Sequence, residues 1–194
     1  MFSSYEWWKI SFCSSDKSII IYNKVSYKPD LIIKEHKGAV YCIIQLSSGI
    51  LASCSYDKTI KLFNIKDNSY EIIQTLNYHN NYIWKLIELK NKTLVSWSSD
   101  SSIIFYVKDN LEYKKNYSIQ TDSGCYSIIQ TKDNEICYSV SNLNKICFYD
   151  LINKKEINSI SNISRYNWVR LWLIMINKEL LVVPGENKIS IIKI

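Results

Sequence analysis

The sequence predicts an all-β fold, a β-propeller of four-stranded antiparallel blades, and three observations predict it. First, the chain repeats itself. CSSDKSIIIYN, CSYDKTIKLFN, WSSDSSIIFYV and VSNLNKICFYD can be laid over one another, and VPGENKISIIKI is a fifth, weaker copy. Ile19, Ile60, Ile103, Ile146 and Ile189 fall at the same place in each copy, spaced 41 residues and then three times 43. A fixed period of about 40–45 residues filled with short strands marks a propeller blade. Second, the 194 residues are 47% hydrophobic and 13% aromatic, with 15 Tyr, 6 Trp and abundant Ile, which suits pleated, half-buried surfaces and a sizeable core. Third, only 2 Pro and 4 Gly are present, and short clusters of Asn, Asp, Ser and Lys punctuate the apolar runs as turns.

The second copy reads most clearly. HKGAVYCIIQL is a turn and a first strand, Ser47-Ser48-Gly49 a turn, and ILASCS a second strand with small residues where it lies between neighbours. Tyr56-Asp57-Lys58 is a tight turn, TIKLFNI alternates as a third strand, Lys66-Asp67-Asn68 turns again, and YEIIQTL is a more polar outer strand. The next copy runs HNNYIWKLIEL, TLVSWSS, SIIFYVK and a tyrosine-rich outer strand near Tyr113 to Ile119. The fourth has CYSIIQT, EICYSVS, KICFYDL and KEINSIS, and the fifth NWVRLWLIM, ELLVVPG and KISIIKI. Before all of these lie ISFCSS, SIIIYNK and an outer strand near Leu31 to Lys34, with Phe2 to Trp8 as a degraded first strand.

These units divide a single domain, 1–194, at about 1–35, 36–78, 79–121, 122–164 and 165–194. At about 43 residues per blade the chain makes about 4.5 blades, against the ~4–8 of ordinary propellers. The expectation is an incomplete or unusually small propeller, since the last unit lacks an outer strand and the first has a poor inner one.

Charge and motifs exclude more than they select. The net charge is +6, but the lysines sit scattered in turns, as Lys90, Lys92, Lys132 and Lys178 do, which reads as solubility rather than a nucleic-acid stripe. The six cysteines form no C-x-x-C pair and read as buried, reduced thiols of an intracellular chain, cytoplasmic or nuclear. No signal peptide is evident, and the longest apolar run, Leu171 to Ile176, is too short to span a bilayer. There is no phosphate loop, no G-x-S-x-G elbow and no H-E-x-x-H or paired Cys/His spacing. The sequence points to no enzyme, no cofactor and no metal site.

Over about residues 10 to 194 the chain resembles the WD-repeat family. His36 with Asp57, and His79 with Asp100, match that family's blade-entry His and turn Asp, and Asp16 matches the turn Asp of the first copy. Ser53 or Ser55, and Ser96 or Ser98, match the strand hydroxyl. Tyr22, Phe63, Tyr106 and Tyr149 stand where the family carries Trp, and Phe63 has no polar hydrogen, so its network is shorter. Thr121 and Arg165 replace the His in the last two copies, and Leu143 and Glu186 replace the Asp. The resemblance implies that His36, Asp57, His79, Asp100 and Asp16 hold turns rather than perform chemistry.

The resemblance also implies a partner face, beside the turns that precede each first strand and join the second to the third. Tyr41, Trp84, Tyr126 and Arg170 match positions just inside the first strands, Tyr82 precedes one of them by two, and Tyr56, Ser99 and Asn142 lie beside the turns. Aromatic residues and Arg are the types enriched at interface hot spots. The expected function is a non-catalytic scaffold that binds a protein or peptide on this face, within a multiprotein complex. The alternatives are a fragment of a larger propeller, or a weakly basic propeller associated with RNA; no membrane insertion is expected.

Overall fold

The computed structural model describes residues 9–23, 25–140, 145–161, 174–177, 180–184 and 189–193. Among them are eighteen strands and no helix, and so no helix long and apolar enough to cross a membrane. The strands form five antiparallel sheets in chain order. The first holds β1 (Lys9–Cys13), β2 (Ile19–Asn23) and β3 (Pro29–Ile33). The second holds β4 (Val40–Gln45), β5 (Leu51–Ser55), β6 (Ile60–Lys66) and β7 (Ser69–Leu76). The third holds β8 (Ile83–Glu88), β9 (Leu94–Ser98), β10 (Ser102–Asp109) and β11 (Glu112–Gln120). The fourth holds β12 (Cys125–Lys132), β13 (Glu135–Val140), β14 (Lys145–Asp150) and β15 (Lys155–Ile160). The fifth holds β16 (Ile174–Asn177), β17 (Leu180–Pro184) and β18 (Ile189–Lys193). Each sheet is a meander, as short turns between sequential strands require. The all-β expectation of blade-like sheets holds: three of the five have four described strands and two have three. Phe2 to Trp8, expected as a poor first strand, lie outside the described residues.

The cores lie between sheets. Ile19, Ile21 and Ile33 of the first sheet close on Val40, Leu51 and Phe63 of the second. Leu62, Cys54 and Leu76 meet Ile83, Leu86, Leu94 and Tyr106. Trp97 and Phe105 meet Ile128, Ile136, Tyr138 and Tyr149. A strand buried on both faces loses the alternation of a half-buried one. Every residue of β5 and β9 is accordingly buried, whereas β7 and β15 are mostly exposed. Truncating one of the buried leucines to Ala costs about 2–5 kcal/mol. Cys54 and Trp97, which align in the repeat, are both enclosed between sheets; Cys13, at the same position of the first copy, is half-buried.

Neighbouring units are also fastened by side chains at the far ends of the first strands. Glu88, ending β8, accepts from the Ser47 N–H at 2.7 Å and the Ser47 hydroxyl at 2.9 Å. Gln130, near the end of β12, accepts from the Lys90 N–H at 2.9 Å. On the outer side the Gln74 amide spans to β11, donating to the Tyr113 carbonyl and accepting from its N–H, each at 2.8 Å.

Candidate docking face

The face is built on two polar networks that hold its turns. The His36 Nδ1–H donates to Asp57 Oδ2 at 2.8 Å, and Ser53 Oγ lies 2.7 Å from His36 Nε2. The same Asp57 oxygen accepts from the Lys37 N–H at 2.8 Å. Its other oxygen accepts from the Thr59 N–H at 3.0 Å and the Thr59 hydroxyl at 2.6 Å. One unit on, His79, Asp100, Ser96, Asn80 and Ser102 repeat every one of these bonds. Ser53 and Ser96 are therefore the network hydroxyls. Ser55 and Ser98 instead donate to the Gly38 and Asn81 carbonyls, tying the entry turn to the strand end. The second network is longer, because Ser96 Oγ lies 3.1 Å from the Tyr106 hydroxyl where the first meets Phe63. Burial would raise the Asp57 and Asp100 carboxyls, but the bonds from His36 and Thr59, and from His79 and Ser102, outweigh it and hold both well below the usual 3.8.

Asp16 makes the same turn without a histidine. It accepts from the Ser18 hydroxyl at 2.6 Å and the Ser18 N–H at 3.0 Å. The residue after the aspartate takes the left-handed conformation in all three turns, at Lys17, Lys58 and Ser101. Thr121, in the histidine position of the fourth unit, binds back to the preceding turn: its N–H and hydroxyl both reach the Ser101 carbonyl at 2.8 Å.

Above these turns the aromatic side chains of two units converge. Tyr41 stacks on Trp84 with ring centroids 5.0 Å apart, and Tyr56 stacks on Tyr82 at 5.1 Å with the planes 8° from parallel. Tyr82 meets Trp84 edge-on at 5.1 Å, and Tyr41 meets Tyr56 and Tyr82 edge-on at 6.5 Å. Offset-stacked and edge-on pairs of this kind each contribute ~0.5–1.5 kcal/mol beyond their burial. The Trp84 indole N–H donates to the Ser99 hydroxyl at 2.8 Å, which fixes the ring. Tyr56 is nevertheless 52% exposed and Tyr41 36%, while Tyr82, Trp84 and Ser99 are half-buried. Burial, with the neighbouring Tyr56 and Tyr82, pushes the Tyr41 hydroxyl above its usual range.

Five of the eight expected face residues, Tyr41, Tyr56, Tyr82, Trp84 and Ser99, thus meet in one cluster. Tyr126 is placed by its backbone at the corresponding point of β12; Asn142 and Arg170 lie outside the described residues. A β-bulge at the start of β4, β8 and β12 was missed by sequence reasoning. Val40 opposes Ser55 while Cys42 opposes Cys54, so Tyr41 is the extra residue; Trp84 and Tyr126 are extra in the same way in β8 and β12. A bulge leaves its extra residue unpaired and bends the strand, which re-aims the side chain. The repetition of an aromatic at this one position, 43 and 42 residues apart, was the available signal. Gly38 was missed as well. A Cβ there would stand 2.9 Å from the Asp57 N and 3.0 Å from the Tyr56 Cβ, so glycine allows the two turns that flank the cluster to touch.

Ser53–His36–Asp57 has the connectivity of a nucleophile, a base and an orienting carboxylate. Ser53 and Ser96 are both 0% exposed, and each histidine is enclosed, so no substrate atom reaches either hydroxyl. The aromatic cluster above them, by contrast, is open at the surface. No group of His, Cys, Asp and Glu among the described residues is arranged to hold a metal ion.

A family model for the WD domain, G-beta repeat, matches residues 27–64. That stretch covers β3 of the first sheet and β4, β5 and the first five residues of β6 of the second, with His36, Ser53 and Asp57 inside it. No curated protein matches the chain.

Proposed function

We propose that this chain, a WD-repeat protein, is a non-catalytic scaffold that captures an extended peptide or a protein segment on the face carrying Tyr41, Tyr56, Tyr82, Trp84 and Ser99. WD-repeat domains typically serve protein interaction rather than catalysis, and that supports the class. One observation carries the choice of face: Tyr56 stacks on a ring of the next unit and yet leaves half its surface in water. A Tyr whose only duty were to join two units would be enclosed by them. Rings pre-ordered by stacking lose little conformational freedom when a partner covers them, which favours affinity. In this reading residues 1–194 act as one domain, and Tyr126, Asn142 and Arg170 continue the face into later units.

The test is selection from a peptide library on immobilised wild-type protein, followed by titration of the selected peptides. Tyr56→Ala and Tyr41→Ala should each weaken binding at least tenfold, about 1.4 kcal/mol, at a temperature well below the melt of either variant. Equal affinity in both variants would move the binding site elsewhere on the molecule.

A further inference from the structure

All six cysteines are free thiols, and two of them face each other. Cys42 on β4 stands directly opposite Cys54 on β5 in the ladder. Cys13, Cys125, Cys137 and Cys147 are opposed by Ile19, Val140, Phe148 and Tyr138, so no other cysteines are matched this way in the described ladders. Opposed residues of antiparallel strands project to one face with Cα atoms about 4.5–5.5 Å apart, inside the ~4.4–6.8 Å that a disulfide spans. Both thiols point into the core between the second and third sheets. The Cys54 Sγ–H reaches the Ile83 carbonyl at 3.4 Å, and Cys42 Sγ lies 4.0 Å from the Leu86 carbonyl. Cys42 is 8% exposed and Cys54 0%.

We propose that Cys42 and Cys54 are a modification site, a dithiol that a peroxide converts into a disulfide joining the two innermost strands of the second unit beneath the aromatic cluster. Cys42 acts first. It is the one with any exposure, and the adjacent Cys54 thiol holds it below the usual thiol range while burial pushes Cys54 well above. The Cys42 thiolate attacks one peroxide oxygen, the O–O bond breaks, a sulfenic acid forms, and the departing hydroxide takes up the proton that Cys42 gave up on ionising, as the first water. Cys54 sulfur then attacks Cys42 sulfur; the S–S bond forms, the S–O bond breaks, and the departing hydroxide takes the Cys54 proton as a second water. Two thiols lose two electrons in total, and one peroxide is reduced to two waters.

The position gives the bridge an effect, which rests on the docking reading above. Cys42 follows Tyr41, Cys54 precedes Tyr56 by two residues, and Ile83 lies between Tyr82 and Trp84. Oxidation removes the proton that Cys54 donates to the Ile83 carbonyl, so the strand presenting Tyr82 and Trp84 loses a tie to β5. Closing the bridge therefore shifts the stacked rings.

The experiment treats the folded wild-type protein with hydrogen peroxide, alkylates the remaining thiols after denaturation, and maps the digest by mass. The expected result is a Cys42–Cys54 cross-linked peptide two hydrogens lighter than its parts, with Cys125, Cys137 and Cys147 alkylated. Alkylation of both Cys42 and Cys54, or bridges spread among several cysteines, overturns the site. In Cys54→Ser the reaction should stop at a dimedone-reactive Cys42; a dimedone-silent Cys42 overturns the order of attack. The ring shift is read as the emission difference between wild type and Trp84→Phe, which should change on oxidation and return with dithiothreitol. A bridge with an unchanged difference overturns the coupling and leaves the dithiol standing. Failure of the peptide selection overturns the docking reading without touching the bridge.

Discussion

Replacing Asp57 with alanine strips four hydrogen bonds at once, and the structure says which of them matters. The acceptors lost served the His36 Nδ1–H, the Lys37 N–H, and the N–H and hydroxyl of Thr59. Lys37 is exposed, so water replaces its acceptor. Thr59 is half-buried and its hydroxyl can rotate. His36 is 5% exposed, and its Nδ1–H is left with only the Thr59 oxygen at 3.4 Å. One buried donor without a good acceptor costs about 1–3 kcal/mol. Taking about 2 kcal/mol, a protein of this size should melt about 4–8 °C lower. The assay is a thermal melt of wild type, Asp57→Ala and Asp57→Ala with His36→Phe. Removing both partners takes away the stranded donor along with its acceptor, so the double variant should recover part of the loss. An Asp57→Ala melt equal to wild type refutes the argument; a double variant far below the single one shows that the buried Ser53 hydroxyl, 2.7 Å from His36 Nε2, depends on the imidazole more than the stranded donor costs.

Acid should act through the same carboxylates. Their folded-state values lie below 3.8, so the stability they contribute is full above that pH and is lost as pH falls through the folded value. The urea midpoint should therefore hold steady down to about pH 5 and drop below about pH 4, and Asp57→Asn with Asp100→Asn should start lower and drop less. Phe63→Tyr should place a hydroxyl where Tyr106 has one, reach Ser53, and raise stability by about 0.5–1.5 kcal/mol in a urea titration; a loss would show that the Phe63 pocket lacks room. Trp97 is 0% exposed and its indole N–H has no partner among the described residues. Trp97→Ala should cost ~3–5 kcal/mol, whereas Trp97→Phe discards the stranded N–H with less lost volume and should retain most of the stability. Equal losses in the two variants would refute that balance.

The repeat made much of this fold legible because the same residue types recur wherever the same geometry recurs. A buried isoleucine near the start of β2, β6, β10 and β14, and a turn Asp before the first three of these strands, are local requirements, so they leave local marks. The His–Asp pairing, 21 residues apart, was readable because both partners are rare or turn-bound types. The choice of Ser53 over Ser55 was not readable. Both are small, both are fully buried, and only the register of β5 against the entry turn decides which oxygen meets the imidazole. The convergence of four rings escaped for a similar reason. It depends on bulges at Tyr41 and Trp84, which are departures from alternation and look in sequence like alternation continued. The backward grips of Glu88 and Gln130 looked like ordinary surface polarity, because their partners are backbone groups of another unit.

Those grips set a rule for how such a chain can change length. Glu88 reaches back 41 residues and Gln130 reaches back 40, each from the end of a first strand to the turn after the preceding one. Removing one whole unit, such as residues 79–121, would deliver Gln130 to the place Glu88 had held, with the Ser47 N–H waiting as donor. Inserting a unit would supply a new grip together with a new turn to receive it. A gain or loss of part of a unit's strands would leave an acceptor without its donor and would throw a strand out of step with the sheet beside it. The molecule can thus be lengthened or shortened in whole blades, and its seams are already cut to fit.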